Sequence, residues 1–177
     1  MNIINPRGTG IIMTKIALIF YSYSGNTKKA IDCIKDKLIF KKINVETIEI
    51  KPLVEERNFF KQCIDSFRKK TPQLSDSLKY DLSTFDYIIF ASPIWALTIT
   101  PSLRSYLTKV EGLKDKKTAC FLTYGSGTGS QKALRELGDI LKNKGANLAF
   151  SGSLSGFKTK NKSYLEDRLR PLLETLF

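Results

Sequence analysis

The chain has 177 residues, 42% of them hydrophobic and 26% charged, which favours one folded domain over a disordered segment. No run approaches the roughly 18 consecutive apolar residues that a membrane helix requires. The chain has 29 lysine and arginine residues against 17 acidic residues, which gives a net charge of +12. Because the sequence shows no zinc-finger spacing, no RNA-binding signature and no block of consecutive basic residues, we expect no nucleic acid partner.

Short apolar runs alternate along the chain with longer segments of helical period. The runs that predict strands are Ile16–Tyr21, Val45–Ile50, Tyr87–Ala91, Thr118–Thr123 and Leu148–Leu154. Several of them are unbroken instead of alternating with polar residues, as expected of strands that are covered on both faces.

The segments between these strands predict five helices. They are about Thr27–Phe40, about Glu55–Lys70, one opening at Thr100 and Pro101, one from a capping box at Thr128 to near Gly145, and one from a capping box at Ser163 that Pro171 kinks or shortens. This alternation predicts a parallel sheet with helices on both faces.

The loop after the first strand, Ser22–Thr27, is polar and small ("SYSGNT"). Unpaired amides at the start of the following helix, together with the helix dipole, favour an anion there, and Gly25 allows the backbone to curl inward. We predict a phosphate site. A polar turn that caps the helix, with Asn26 as the cap, is the alternative that these residues alone leave open.

Two further loops follow strands of the same predicted sheet edge, where ligands of open parallel sheets bind. The loop Ser92–Pro101 carries the single tryptophan, Trp95, which either packs on the core or offers a flat face to a flat ligand. The loop Thr123–Ser130 alternates glycine with small hydroxyl residues, which allows a ligand to approach the backbone closely or simply meets a need for unusual dihedral angles.

In this order and on these elements, the loops resemble those of the flavodoxin family. "YSYSGNT" resembles the phosphate loop, "SPIW" followed by "TPSLRSYL" the first ring-binding loop and next helix, and "TYGSGTG" the second ring-binding loop. The resemblance implies an α/β three-layer sandwich of the short-chain form, with a five-stranded parallel sheet of order 2-1-3-4-5, and FMN as the cofactor. We expect this domain at residues 13–177, after a poorly ordered extension at residues 1–12.

Carried over position by position, the resemblance implies that the first loop holds the FMN phosphate. Trp95 then stacks on the isoalloxazine ring, and the loop after Tyr124 lines its other side. The implied cofactor-binding residues are Ser22, Tyr23, Ser24, Gly25, Asn26, Thr27, Pro93, Ile94, Trp95, Ala96, Tyr124, Gly125, Ser126 and Gly127.

Two features depart from the family pattern. Typical flavodoxins are strongly acidic, whereas this chain carries +12. Many of them also place a glycine in the first ring-binding loop, where its peptide turns to the reduced flavin, and "IWAL" has none. Tuning of the half-reduced flavin is therefore in doubt.

We expect a flavodoxin-like electron carrier, with an FMN-dependent NAD(P)H:quinone-type oxidoreductase as the alternative and a flavin-free interaction module as a third, less favoured reading.

The chain has no histidine, which removes Ser-His and Cys-His nucleophiles, so we expect no catalytic side chain, and no metal site either. The partner is then an acidic redox protein or a small-molecule acceptor, with contact to an anionic membrane face left open. Three cysteines in apolar surroundings indicate free thiols and a cytoplasmic location.

Overall fold

The computed structural model describes residues 3–4, 11–12, 14–54, 64–65, 68 and 70–176. The strands are β1 (Ile3–Ile4), β2 (Ile11–Ile12), β3 (Lys15–Phe20), β4 (Asn44–Glu49), β5 (Tyr87–Trp95), β6 (Thr98–Ile99), β7 (Lys117–Tyr124) and β8 (Asn147–Ser155). The helices are α1 (Asn26–Phe40), α2 (Pro101–Lys109), α3 (Ser130–Asn143) and α4 (Lys162–Glu174), with a 3-10 turn at Gly156–Lys158.

Five long strands form one sheet in the order β4-β3-β5-β7-β8, and every neighbouring pair is parallel. Numbered along the chain, these strands have the order 2-1-3-4-5, which confirms the predicted fold class. The short strand β6 folds back antiparallel on the end of β5. Strands β1 and β2 pair separately within the predicted extension, whose other residues lie outside the described part of the chain.

The sheet is covered on both faces, as its unbroken apolar runs predicted. Leu18 and Ile19 are neighbours on β3, yet each is fully buried in a different hydrophobic cluster. The cluster with Leu18 includes Ile31 of α1 and Leu169 of α4, and the cluster with Ile19 includes residues of α2 and α3. The helices thus cover both faces of the sheet, and the loops lie at the ends of its strands.

The start of α2 follows its local sequence. Thr100 is the N-cap and its hydroxyl accepts a hydrogen bond from the Leu103 amide at 3.4 Å, while Pro101 is the first helical residue. A capping residue followed by proline is a strong start signal because proline needs no amide partner there. This prediction is confirmed.

The two capping boxes predicted for the later helices are wrong. Helix α3 begins after Gly129, which has a left-handed φ of 77° and no side-chain cap, so Thr128 stays outside the helix. Helix α4 begins earlier than predicted because Asn161 caps it, accepting from the Tyr164 amide at 3.0 Å. Ser163 is therefore already inside the helix.

Two other predictions concern Pro171 and the helix expected at Glu55–Lys70. Pro171 lies inside α4, which ends soon afterwards at Glu174. The predicted helix Glu55–Lys70, with Cys63, lies for the most part outside the described residues. Among the helices that are described, none combines the length and the apolar character needed to cross a lipid bilayer.

Candidate functional site

The carboxyl ends of β3, β5, β7 and β8 bring four loops to one edge of the sheet. The residues that the sequence predicted for a cofactor site lie in three of these loops and in the last residues of β5 and β7. The fourth, at Gly156–Lys158 after β8, was not predicted. Because parallel strands end at the same edge, a loop after the fifth strand of the sheet has to lie beside the other three.

The phosphate loop, defined as Ser22–Thr27, presents its backbone to solvent. Gly25 precedes α1 with a left-handed φ of 80°, and a Cβ placed there would meet no atom within 4 Å. In the described part of the chain, the amides of Ser24, Gly25, Asn26 and Thr27 donate to no protein group. Such a turn of unpaired N–H groups at a helix start is a site for an anion.

Two serine hydroxyls of the phosphate loop shape the entrance to α1. The Ser22 hydroxyl accepts from the Lys28 amide at 3.2 Å, which satisfies one amide of the first helical turn. The Ser24 hydroxyl accepts from the Asn26 side-chain amide at 3.2 Å and keeps its own hydrogen for another acceptor. Both serines thus keep a hydroxyl hydrogen that could be donated to a ligand, and Ser24 is the more exposed of the two.

Asn26 and Thr27 tie the phosphate loop to its neighbours. The Asn26 carbonyl oxygen accepts from the Thr159 hydroxyl at 3.1 Å, beyond the end of β8. The Thr27 hydroxyl is buried and lies 2.8 Å from the Thr123 hydroxyl on β7. These two side chains therefore hold the loop in shape.

Trp95 is the last residue of β5 instead of a loop residue. The strand runs past its predicted end at Ala91 because Ser92 and Pro93 pair with β7, and Ile94 and Trp95 then pair with β6, with Trp95 opposite Thr98. The Trp95 side chain is only 6% exposed, and its ring makes edge contacts with Tyr21 and Tyr23 at centroid distances of 5.6 Å each. Trp95 therefore packs in the core directly beneath the candidate site.

The turn between β5 and β6 consists of Ala96 and Leu97, and both are exposed. Their φ angles are 46° and 64°, the left-handed pair that two-residue hairpins normally reserve for Asn-Gly. For residues with a Cβ this conformation costs roughly 1–2 kcal/mol each. The turn is thus strained, at the place where the sequence resembles a ring-binding loop.

The glycine loop, defined as Gly125–Gly129, lies against this turn. Gly127 and Gly129 have φ angles of 82° and 77°, which confirms the need for unusual dihedral angles at these two positions. A Cβ at Gly129 would lie 2.4 Å from Leu97 Cδ2. Glycine is therefore required there both for its backbone conformation and for the close approach of Leu97.

The unpredicted loop after β8 completes the site. A Cβ at Gly156 would lie 3.2 Å from both the Asn26 side chain and the Tyr124 carbonyl oxygen, so the chain passes very close to both. Phe157 follows and is 80% exposed, and its ring approaches Gly125. All four loops are thus connected by direct contacts.

An ion pair lies behind the Ala96–Leu97 turn. Arg104 of α2 and Glu136 of α3 approach to 2.7 Å, and the Thr98 hydroxyl contacts both. Burial by itself raises the pKa of Glu136, but the hydrogen bonds from Thr98 and Arg104 and the charge of Arg104 outweigh it. The pKa of Glu136 is therefore held below its usual value.

The two described cysteines are free, as predicted. Burial raises the pKa of the Cys120 thiol to about 11 and also raises the pKa of Cys33. Both thiols are therefore protonated near neutral pH and are poor nucleophiles.

Comparison with known proteins gives one family and one fold. The family model described as NADPH-dependent FMN reductase matches residues 14–158. No match was found among curated proteins.

Solved structures that resemble this chain share its fold. A protein of Bacteroides uniformis ATCC 8492 assigned as a flavoprotein has a TM-score of 0.66 at 19% identity, covering 89% of this chain and 99% of that one. Flavodoxin 2 of Bacillus cereus has a TM-score of 0.61 at 19% identity, covering 91% of this chain and 99% of that one. The flavodoxin of Streptococcus pneumoniae TIGR4 has a TM-score of 0.58 at 16% identity, covering 91% of this chain and 99% of that one.

Proposed function

The chain belongs to the family of NADPH-dependent FMN reductases, and from this premise we propose that it is an FMN-dependent oxidoreductase that uses NADPH. The family match over residues 14–158 is the observation that carries the proposal. FMN held here would supply the redox chemistry, which is hydride acceptance followed by transfer of two electrons to an acceptor. The protein supplies the binding site and its electrostatics.

The phosphate loop fits the phosphate of FMN. Its open face at Gly25 and the amides of Ser24–Thr27 offer neutral donors and the positive end of the α1 dipole. The hydroxyl hydrogen of Ser24 adds a further donor. We propose that these groups hold the phosphate, with Ser22, Asn26 and Thr27 fixing the geometry of the loop.

We place the ring site at the exposed rim formed by the Ala96–Leu97 turn and the glycine loop, which touch each other at Leu97 and Gly129. Both elements are exposed and both bring backbone close to the same space, which suits a flat ring that needs little side-chain bulk on either side. We propose that Ala96 and Leu97 face one side of the ring, while Tyr124, Gly125, Ser126 and Gly127 face the other. Trp95, Pro93 and Ile94 then support the turn from β5.

The positive charge of the protein suits an anionic reductant. Lys28 and Lys29 lie in the first turn of α1, next to the phosphate loop, and both are exposed. NADPH carries several phosphate charges, and a net charge of +12 attracts it over the range of a Debye length. This surface supports NADPH as the reductant without identifying the groups that touch it.

An electron carrier is the second candidate, and exposed apolar side chains favour it. Tyr23, Leu97 and Phe157 are 38%, 43% and 80% exposed, and they come from three different loops around the ring site. Such side chains suit the centre of a transient protein interface. The basic surface around them selects an acidic redox protein as the partner.

Anaerobic reduction of the FMN-loaded protein distinguishes the two candidates. Rapid bleaching of the flavin absorbance by NADPH is the expected result for the reductase. Reduction by dithionite or an acidic redox protein, with none by NADPH, would instead support the carrier. Protein that takes up no FMN at all would overturn both.

A further inference from the structure

A nearly buried ion pair lies directly behind the strained Ala96–Leu97 turn. Arg104 NH1 lies 2.7 Å from Glu136 Oε1, and the two side chains are only 11% and 20% exposed. Thr98, the residue that follows the turn, donates its hydroxyl hydrogen to Glu136 Oε2 and accepts from Arg104 NH2 at 2.8 Å. The foot of the turn is therefore fixed to both α2 and α3.

This ion pair is poorly built for stability alone. Arg104 Nε is buried without an acceptor among the described residues. Removing two charges from water costs free energy that only complete pairing recovers, so apolar side chains would often stabilise such a position as well or better. The effect of the pair on its surroundings is to orient the Thr98 hydroxyl.

The turn needs outside support. Ala96 and Leu97 both have positive φ, and such a conformation persists only where the surroundings impose it. On one side Leu97 lies against Gly129 of the glycine loop. On the other side the chain is held at Thr98, which also pairs with Trp95 across the hairpin.

We propose that Arg104 and Glu136 are positioning residues that hold the Ala96–Leu97 turn, through Thr98, in the conformation that faces the flavin ring. The effect on the flavin rests on the proposed function, whereas the hold on the turn does not. Thr98 transmits the constraint because its hydroxyl contacts both charged groups and its backbone leads straight into Leu97.

The test uses two variants and one matched control. Thr98→Val removes the hydroxyl at nearly constant shape, and Glu136→Gln removes the charge. Glu166→Gln is the control, because it removes the same charge from another ion pair, the more exposed one with Lys37 at 3.1 Å, away from the turn. The flavin-free proteins are compared by acrylamide quenching of Trp95, the single tryptophan, which lies opposite Thr98. FMN dissociation constants are then measured on the same proteins.

We expect both turn variants to show stronger Trp95 quenching and about tenfold weaker FMN binding, the scale of one hydrogen bond to a charged group. Glu166→Gln should change neither. Adding Ala96→Gly to Glu136→Gln should recover most of the lost affinity, because glycine adopts positive φ without support. A general loss of stability would not be repaired in this way.

Unchanged quenching and unchanged affinity in both turn variants would overturn the proposal, as would a loss of affinity that Ala96→Gly fails to reduce. If Glu136→Gln does not fold, Thr98→Val decides the matter because it keeps both charges. Failure of the unsubstituted protein to bind FMN would overturn the proposed function instead. The quenching comparison would still decide whether the ion pair holds the turn.

Discussion

At the scale of single residues, Gly25 shows how a backbone conformation alone can determine a binding site. Its φ of 80° is in the left-handed region, yet a Cβ there would touch nothing within 4 Å. Gly25→Ala should therefore lower the free energy of unfolding by about 1–2 kcal/mol through backbone strain only.

Gly125→Ala is the matched control for Gly25. Gly125 has no positive φ, and a Cβ there would lie 3.9 Å from Phe157, an ordinary contact. Urea unfolding of the flavin-free proteins should show a clear loss for Gly25→Ala and almost none for Gly125→Ala. Equal effects would mean that the left-handed conformation of Gly25 is not what the loop requires.

Two candidate roles of Trp95, packing in the core and contact with the flavin ring, can be separated by experiment. The sequence resemblance assigns it to the flavin ring, whereas the structure places it in the core against Tyr21 and Tyr23. Trp95→Ala should lower the free energy of unfolding of the flavin-free protein by about 3–5 kcal/mol, the cost of truncating a buried large side chain.

Trp95→Phe keeps an aromatic ring and serves as the comparison. It should retain most of the stability that Trp95→Ala loses, as measured by urea unfolding. If Trp95→Ala left stability intact but weakened FMN binding by about 1–3 kcal/mol, the scale of a base–aromatic stacking contact, the ring would belong to the ligand and not to the core.

Glu136 makes the free energy of unfolding depend on pH. Because its pKa is lowered in the folded protein, its ionised form stabilises the fold at neutral pH. That contribution is lost as pH falls from the ordinary glutamate value, roughly 4.3, through the lower folded value. The difference in unfolding free energy between the unsubstituted protein and Glu136→Gln should therefore shrink in acid. Urea unfolding at several pH values measures it, and a difference independent of pH would contradict the ion pair.

At the scale of elements, the fourth loop connects β8 to the phosphate loop. The Thr159 hydroxyl lies 3.1 Å from Asn26 Oδ1 and 2.8 Å from the Gly156 carbonyl oxygen and shares its one hydrogen between them, and Thr159→Val would remove both contacts. FMN affinity should then fall by about 1 kcal/mol, the net value of one hydrogen bond, because Asn26 is no longer fixed.

Thr175→Val provides the matched control for Thr159→Val. The Thr175 hydroxyl bonds Tyr87 and the Leu172 carbonyl at the far end of the sheet. Its loss should reduce stability but leave FMN affinity unchanged in a fluorescence titration. Equal losses of affinity in the two variants would show that the effect is general destabilisation.

The elements also show where sequence signals succeed. The start of α2 was predictable because Thr100 and Pro101 carry the whole signal locally. The extension of β5 to Trp95 was not, because its last two residues pair with β6 through a turn that lacks the usual glycine. The Thr98, Arg104 and Glu136 cluster joins residues far apart in sequence, so no local pattern marks it.

At the scale of the whole molecule, the alternation of apolar runs with helical segments predicted the parallel sheet, whereas the strand order 2-1-3-4-5 was implied by the resemblance to flavodoxins. The net charge of +12 adds a test. Reduction by NADPH should slow as salt rises at constant pH, since screening weakens long-range attraction. Stopped-flow rates measure this, and a rate independent of ionic strength would rule out a steering role for the basic surface.

The account rests most directly on the claim that residues 22–27 hold the phosphate of FMN. Isothermal titration of flavin-free protein with FMN and with riboflavin, which lacks the phosphate, isolates that contact. We predict that FMN binds at least about 100-fold more tightly than riboflavin, the value of two hydrogen bonds to a charged group. Equal affinities for the two flavins, or no binding of FMN, would contradict it.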